Sequence, residues 1–233
     1  MCKSFIASLL LALFFIWSLT VLVAQGQIIT NCAIDGTAAI TFDDGPSEAR
    51  GITATFFVNG NNQNCIYDYA DVILRIYEDG HQIGSHTWSH LDLALLDRTE
   101  IIYQMTSLEQ AFKKILGIVP KYFRPPYGSY NDEVIDVVES LGYSIVLWNQ
   151  DTGDSMSNSI EYGLEQYRSS DGPPSSHIML NHDVFQTTCR QLAPQGIQIY
   201  LDKGLKLMSV AEWTQKILNL FIGFEILKNQ NFP

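Results

Sequence analysis

Residues 54–86 read ATFFVNGNNQNCIYDYADVILRIYEDGHQIGSH. Ala54 to Val58 is a short apolar run of the kind that forms a buried strand. Asp68 to Tyr77 then places Val72, Ile73, Ile76 and Tyr77 at helical spacing, and Gly80 ends the pattern as a helix terminator. Gln82 to Gly84 is a second short strand. Strands alternating with helices in this way predict an α/β fold with a largely parallel sheet.

The same alternation continues on both sides, from Ala38 to about Met208. Ala38 to Phe42 precedes the stretch as a strand; Tyr122 to Arg124, Ser144 to Trp148, His177 to Leu180 and Leu205 to Met208 follow it. The clearest helix runs from Arg98 to Leu116, with Asp97 as its N-cap and Ile101, Met105, Leu108, Phe112 and Ile115 on one apolar stripe. Asn131 to Leu141, ended by Gly142, is a shorter one. One place resists the scheme. Only seven residues separate Pro46 from Ala54, whereas a parallel crossover with its helix needs at least ~10–12. Either these two strands are not parallel neighbours, or the first helix is missing.

The chain ends bound the rest. Lys3 is the sole charge before Asp35, and Phe5 to Ala24 is apolar apart from small hydroxyl residues. This reads as a secretory signal over residues 1–26, with small residues at Ala24 and Gly26 where cleavage can occur. Left uncleaved, a run of about 20 residues is also long enough to span a bilayer; once cleaved, no stable membrane insertion is expected. Removing it shifts the net charge from −11 to −12, and no basic cluster remains, so nucleic acid is excluded as a partner. Residues 27–215 suffice for one domain. Residues 216–233 (KILNLFIGFEILKNQNFP begins at Lys216) form an apolar extension with no assigned role. Outside the signal, Cys32, Cys65 and Cys189 are odd in number, and one bridge with one leftover thiol is the simplest expectation for a secreted chain. None lies in a C-x-x-C pair, which argues against a zinc-thiolate or thioredoxin-type site.

Chemistry concentrates at the strand ends. Thr41-Phe42-Asp43-Asp44-Gly45-Pro46 puts adjacent carboxylates where a strand runs out into a turn, and neighbours on an extended chain face opposite sides. Alone, such a pair is most often a turn. Ser85-His86-Thr87-Trp88-Ser89-His90 adds two histidines at i and i+4, the spacing that puts both imidazoles on one face of a helical turn. With Asp44 they make a three-ligand set that leaves room for water and substrate, as a catalytic metal requires. His81 reads as structural. Three more clusters follow strands: Phe123-Arg124-Pro125-Pro126-Tyr127-Gly128, Trp148-Asn149-Gln150-Asp151-Thr152-Gly153-Asp154 and Met179-Leu180-Asn181-His182-Asp183. Packing alone does not predict five polar clusters at consecutive strand ends.

These five segments resemble, in order, the motifs of the polysaccharide deacetylase family, carbohydrate esterase family 4, also called the NodB homology domain. Phe57 to Asn62 and Gly80 to His90 look especially like its fungal chitin deacetylases. The resemblance implies a distorted (β/α) barrel of one domain, its first helix missing after Pro46. It also implies a divalent metal, usually zinc (Zn2+), on Asp44, His86 and His90. Asp43 would be the general base, oriented by Arg124, and His182 the general acid, its protonation set by Asp154. Tyr127 would donate a backbone N–H to an oxyanion. Leu180, Tyr127 and Trp148 would contact substrate, with Leu180 receiving the acetyl methyl. The implied activity is removal of N-acetyl groups from chitin or another N-acetylglucosamine polymer, outside the cell or at the wall. The alternatives are a wall-associated glycan-binding protein that has lost turnover, or a deacetylase of another acetylated polysaccharide. Fungal members often carry a cysteine where Trp213 stands, paired with one near the mature N-terminus, so Cys32 would lack its usual partner.

Overall fold

The computed structural model describes residues 28–32, 34–45, 52–173 and 175–214. The signal at 1–26, the extension at 216–233 and the expected loss of a helix after Pro46 fall wholly or largely outside them. In chain order the regular elements are β1 (Ile28–Ile29), β2 (Thr37–Asp43), β3 (Thr55–Val58), α1 (Ala70–Glu78), β4 (Gln82–Ser85) and α2 (Arg98–Leu116). There follow β5 (Tyr122–Phe123), α3 (Asp132–Ser140), β6 (Ser144–Val146), β7 (Gln150–Asp151), α4 (Ile160–Ser169), β8 (His177–His182), α5 (Ala193–Asp202) and β9 (Lys206–Leu207).

All strand pairs among the described residues are parallel, in the order β1-β6-β5-β4-β3-β2-β8-β7, with β9 also on β2. The sheet curls into a half-barrel with helices between strands. On β2, Ala38, Ile40 and Phe42 face outward into the core beneath α1, α2, α4 and α5. The alternate residue Ala39 faces inward with Phe57 and Ile178. The period of two therefore carries Thr41 and Asp43 to the interior as well. In the same way Ile178 sets Leu180 and His182 on the inner face of β8.

The doubtful link resolves in favour of neighbours: β2 and β3 pair in parallel, with Thr41 opposite Thr55 and Asp43 opposite Phe57. Because β3 starts level with Thr41, the chain retraces only about two residues of strand, roughly 7 Å. Every residue of β2 is buried.

Helix ends follow local chemistry. Asp97 and Glu100 form a capping box on α2, and Gly117 closes it at φ 72°. Asn131 caps α3 and Ser159 caps α4. His81, at the start of β4, accepts a hydrogen bond from the Ala54 amide at 3.1 Å, so its role is structural.

One expectation fails. No disulfide joins Cys32, Cys65 and Cys189. The Cys32 thiol donates to the carbonyl of His177, where β8 begins, whereas Cys189 donates to Asp183, just past its end. About six residues of strand separate those points, roughly 20 Å, while a bridge needs Cα atoms within about 6.8 Å. Cys32 is instead buried in one cluster with Trp213, and burial pushes its thiol up to about 12.

Candidate active site

Parallel pairing puts Asp43 directly opposite His182, on the inner face of two adjacent strand ends. Asp44 follows Asp43 with a left-handed backbone (φ 74°). That conformation is unfavourable for a non-glycine residue, and here it turns the second carboxylate away from the first. Among the described residues, five non-glycine positions have positive φ, and four of them, Asp44, Thr87, His90 and Tyr127, belong to this site. Clustering of such backbone strain marks a functional region.

Asp44 Oδ1 lies 3.2 Å from His90 Nε2 and 3.7 Å from His86 Nε2. Bond lengths of ~2.0–2.2 Å to zinc imply ligand separations of about 3.4 Å in a tetrahedral site, so the three donors fit one cation. All three ligand atoms fall within 4.8 Å of one another. The donor chemistry also fits. His86 Nδ1 donates to the Arg124 carbonyl at 2.7 Å, which leaves the Nε2 lone pair facing the other ligands. Burial drives the His86 pKa down to about 3, keeping the ring neutral.

The route by which the histidines converge differs from the helical turn expected from their spacing. His86 follows the end of β4, and residues 86–90 form no helix. Left-handed Thr87 and His90 fold the loop back instead. The loop is held by groups that sequence reasoning missed. Asn59 Nδ2 donates to the carbonyls of His86 and, at 3.2 Å, Thr87. Gln104 on α2 accepts from the Ser89 amide at 2.9 Å and donates to its hydroxyl at 2.8 Å. Asn62 reaches Asp44 Oδ1 at 3.4 Å.

Asp43 Oδ1 accepts from Arg124 Nη1 at 2.9 Å, and its Oδ2 lies 3.7 Å from His86 Nε2. Arg124 is fully buried, yet satisfied: it donates to Thr41 Oγ1, Val146 O and Leu147 O. Its guanidinium lies 4.3 Å from the Phe57 ring centre and 5.5 Å from that of half-buried Trp148. Trp148 thus stands behind the arginine. Burial raises the Asp43 pKa above the ordinary carboxylate value, opposed by the charge of Arg124.

Across the cluster, His182 Nδ1 and Asp154 Oδ1 are 2.7 Å apart, and Asp154 Oδ2 accepts from the His182 amide at 2.8 Å. Burial pulls His182 down, but the bond to Asp154 and the charges of Asp43, Asp154 and Asp44 outweigh it, raising the pKa to about 9. Asp154, though itself penalised by burial, is held below its ordinary value by His182. Leu180 lies buried one layer below His182 on the same face. Tyr127, in the turn Pro126–Gly128, is 70% exposed with its ring edge-on to His90 at 4.8 Å.

The site residues named from sequence therefore gather at or near the C-terminal ends of β2, β4, β5, β6, β7 and β8. A deep carboxylate, a protonated imidazole and three metal-type donors in one place can run metal-assisted hydrolysis. Comparison with known proteins points the same way. The family profile described as polysaccharide deacetylase matches residues 30–146. A chitin deacetylase of Pestalotiopsis sp is 43% identical over 199 residues, covering 81% of this chain and 67% of the relative. One from Arthroderma benhamiae is 37% identical over 201 residues, covering 80% and 54%. The chain thus spans between half and two thirds of these relatives. The solved chitin deacetylase of Colletotrichum lindemuthianum superposes with a TM-score of 0.76 at 36% identity, over 81% of this chain and 91% of that one.

Proposed function

Because the chain belongs to the polysaccharide deacetylase family, we propose that it is a metal-dependent hydrolase that removes N-acetyl groups from N-acetylglucosamine polymers, chitin foremost. The observation that carries this reading is the pairing of Asp43 with His182 across β2 and β8, beside Asp44, His86 and His90. These two groups have opposite duties and environments that suit them. Asp44, His86 and His90 would hold a divalent cation, for which zinc suits the donor set, and that cation would supply Lewis acidity to the reaction when bound.

Asp43 accepts the proton of the attacking water as a new C–O bond forms at the acetyl carbon. Arg124 holds the carboxylate in place, and its charge opposes the rise in pKa that burial imposes on Asp43. The Tyr127 N–H, placed by the left-handed turn after Pro126, donates to the oxyanion. His182 enters the reaction protonated and passes its proton to the sugar nitrogen as the C–N bond breaks, releasing acetate and a free amine. Leu180 packs against the acetyl methyl. Chitin is favoured as substrate by the names of the most similar relatives, and the apolar run at Phe5 to Ala24 supports action outside the cell or at the wall. An acidic chain, net −11, also suits a product that becomes cationic as amines are freed.

Acetate release from chitin oligomers by the purified chain tests the reading. Release with zinc, loss on chelation and recovery on adding zinc back are expected. Zinc uptake without any acetate would favour a glycan-binding protein of the same fold.

A further inference from the structure

Asp154 uses both carboxylate oxygens, and the partner on the far side belongs to none of the five motifs. Besides the His182 amide, Oδ2 accepts from Thr188 Oγ1 at 2.8 Å. Thr188 is 1% exposed. It opens the π-helical turn Thr188–Leu192, closed by the Ala193 amide on the Thr188 carbonyl, which leads into α5. Such wide turns are rare and cluster at functional sites. Here the turn lets a residue six positions beyond His182 reach back under the carboxylate that His182 uses. The other two bonds to Asp154 both come from His182. Thr188 is the donor that ties the pair to a separate part of the fold.

We propose that Thr188 is a positioning residue: its hydroxyl fixes the plane of the Asp154 carboxylate, so that Oδ1 meets imidazole Nδ1 and Nε2 is the nitrogen left to deliver the proton. The inference rests on His182 acting as proton donor in the reading above. Groups facing His182 are Asp154, Asp43 and Asp44, with Asp183 next in sequence just past β8 and Phe185 edge-on at 6.2 Å. With Oδ2 released on one side, the carboxylate can rotate and the short Oδ1 contact lengthens, so the imidazolium loses support.

Thr188→Val keeps the shape and removes the donor; Thr188→Ser keeps the donor. In the zinc-loaded protein, Thr188→Val should lower kcat about tenfold or more, the scale of one hydrogen bond to a charged group. KM should change little, and the alkaline limb of the pH profile should move down. Thr188→Ser should restore both. Nitrogen NMR of His182 in the metal-free protein should show its pKa falling in Thr188→Val and recovering in Thr188→Ser. That arm reports on positioning even if the wild-type chain releases no acetate, so the two readings fail separately. A His182 pKa that stays or rises in Thr188→Val, or that Thr188→Ser does not restore, overturns the proposal.

Discussion

In the proposed reaction His182 must carry a proton to expel an amine, and its surroundings decide up to what pH it does so. Burial alone would discharge it. The bond to Asp154 and three nearby carboxylates hold it at about 9 instead. In the metal-free protein His182 should therefore stay protonated through neutral pH and lose its proton only as pH rises through the region of 9, well above an ordinary imidazole; nitrogen NMR of the ring across pH checks this. The gathering of Asp43, Asp44, His86, His90 and His182 was legible because aspartates and histidines at strand ends are uncommon without a reason. Thr41, Asn59, Gln104 and Thr188 were not. Each is a frequent polar residue whose importance lies in a partner far away in sequence: Asn59 holds the carbonyls of 86 and 87, and Thr41 braces Arg124.

The loop between β4 and α2 shows where elements become readable and where they do not. Its histidine spacing suggested a helical turn, but two left-handed residues produce the same convergence from an irregular loop, and no propensity announces them at threonine and histidine. Gly60 secures this loop from outside. A Cβ there would sit 2.0 Å from a ring atom of Trp88, which lies between His86 and His90 in the chain. Gly60→Ala should cost about 1–3 kcal/mol through overpacking and weaken zinc binding, measured by denaturation and calorimetric titration. The strands from Ala38 to Met208 were legible as short runs, save β7, whose Gln150 and Asp151 are polar and half-buried. α4 and α5 were not: Ile160–Ser169 buries only Gly163, Leu164 and Tyr167, and Ala193–Asp202 only Ala193, Gly196 and Tyr200. Glycine and alanine packing faces leave little hydrophobic period to read.

For the molecule as a whole, the half-barrel and its site were foreseeable because strand order brings distant motifs to one rim. The short link was the exception. Length alone cannot say that β3 pairs in parallel with β2 and begins level with Thr41. Three converging donors, one just past β2 and two in the loop after β4, also imply that a bound cation would stabilise the fold. At a hundredfold excess over its Kd, zinc should add about 2.7 kcal/mol. For a chain of this size that raises Tm by roughly 5–10 °C, which calorimetry with and without chelator can read.

The central claim is that Asp43 does the proton work while Asp44, His86 and His90 hold the cation. Acetate release from chitin oligomers by zinc-loaded Asp43→Asn, compared with the unaltered chain at equal zinc content, separates the two duties. The account predicts one zinc per chain in both proteins and a rate about 10²–10⁴-fold lower in the variant. Undiminished acetate release by Asp43→Asn would contradict it.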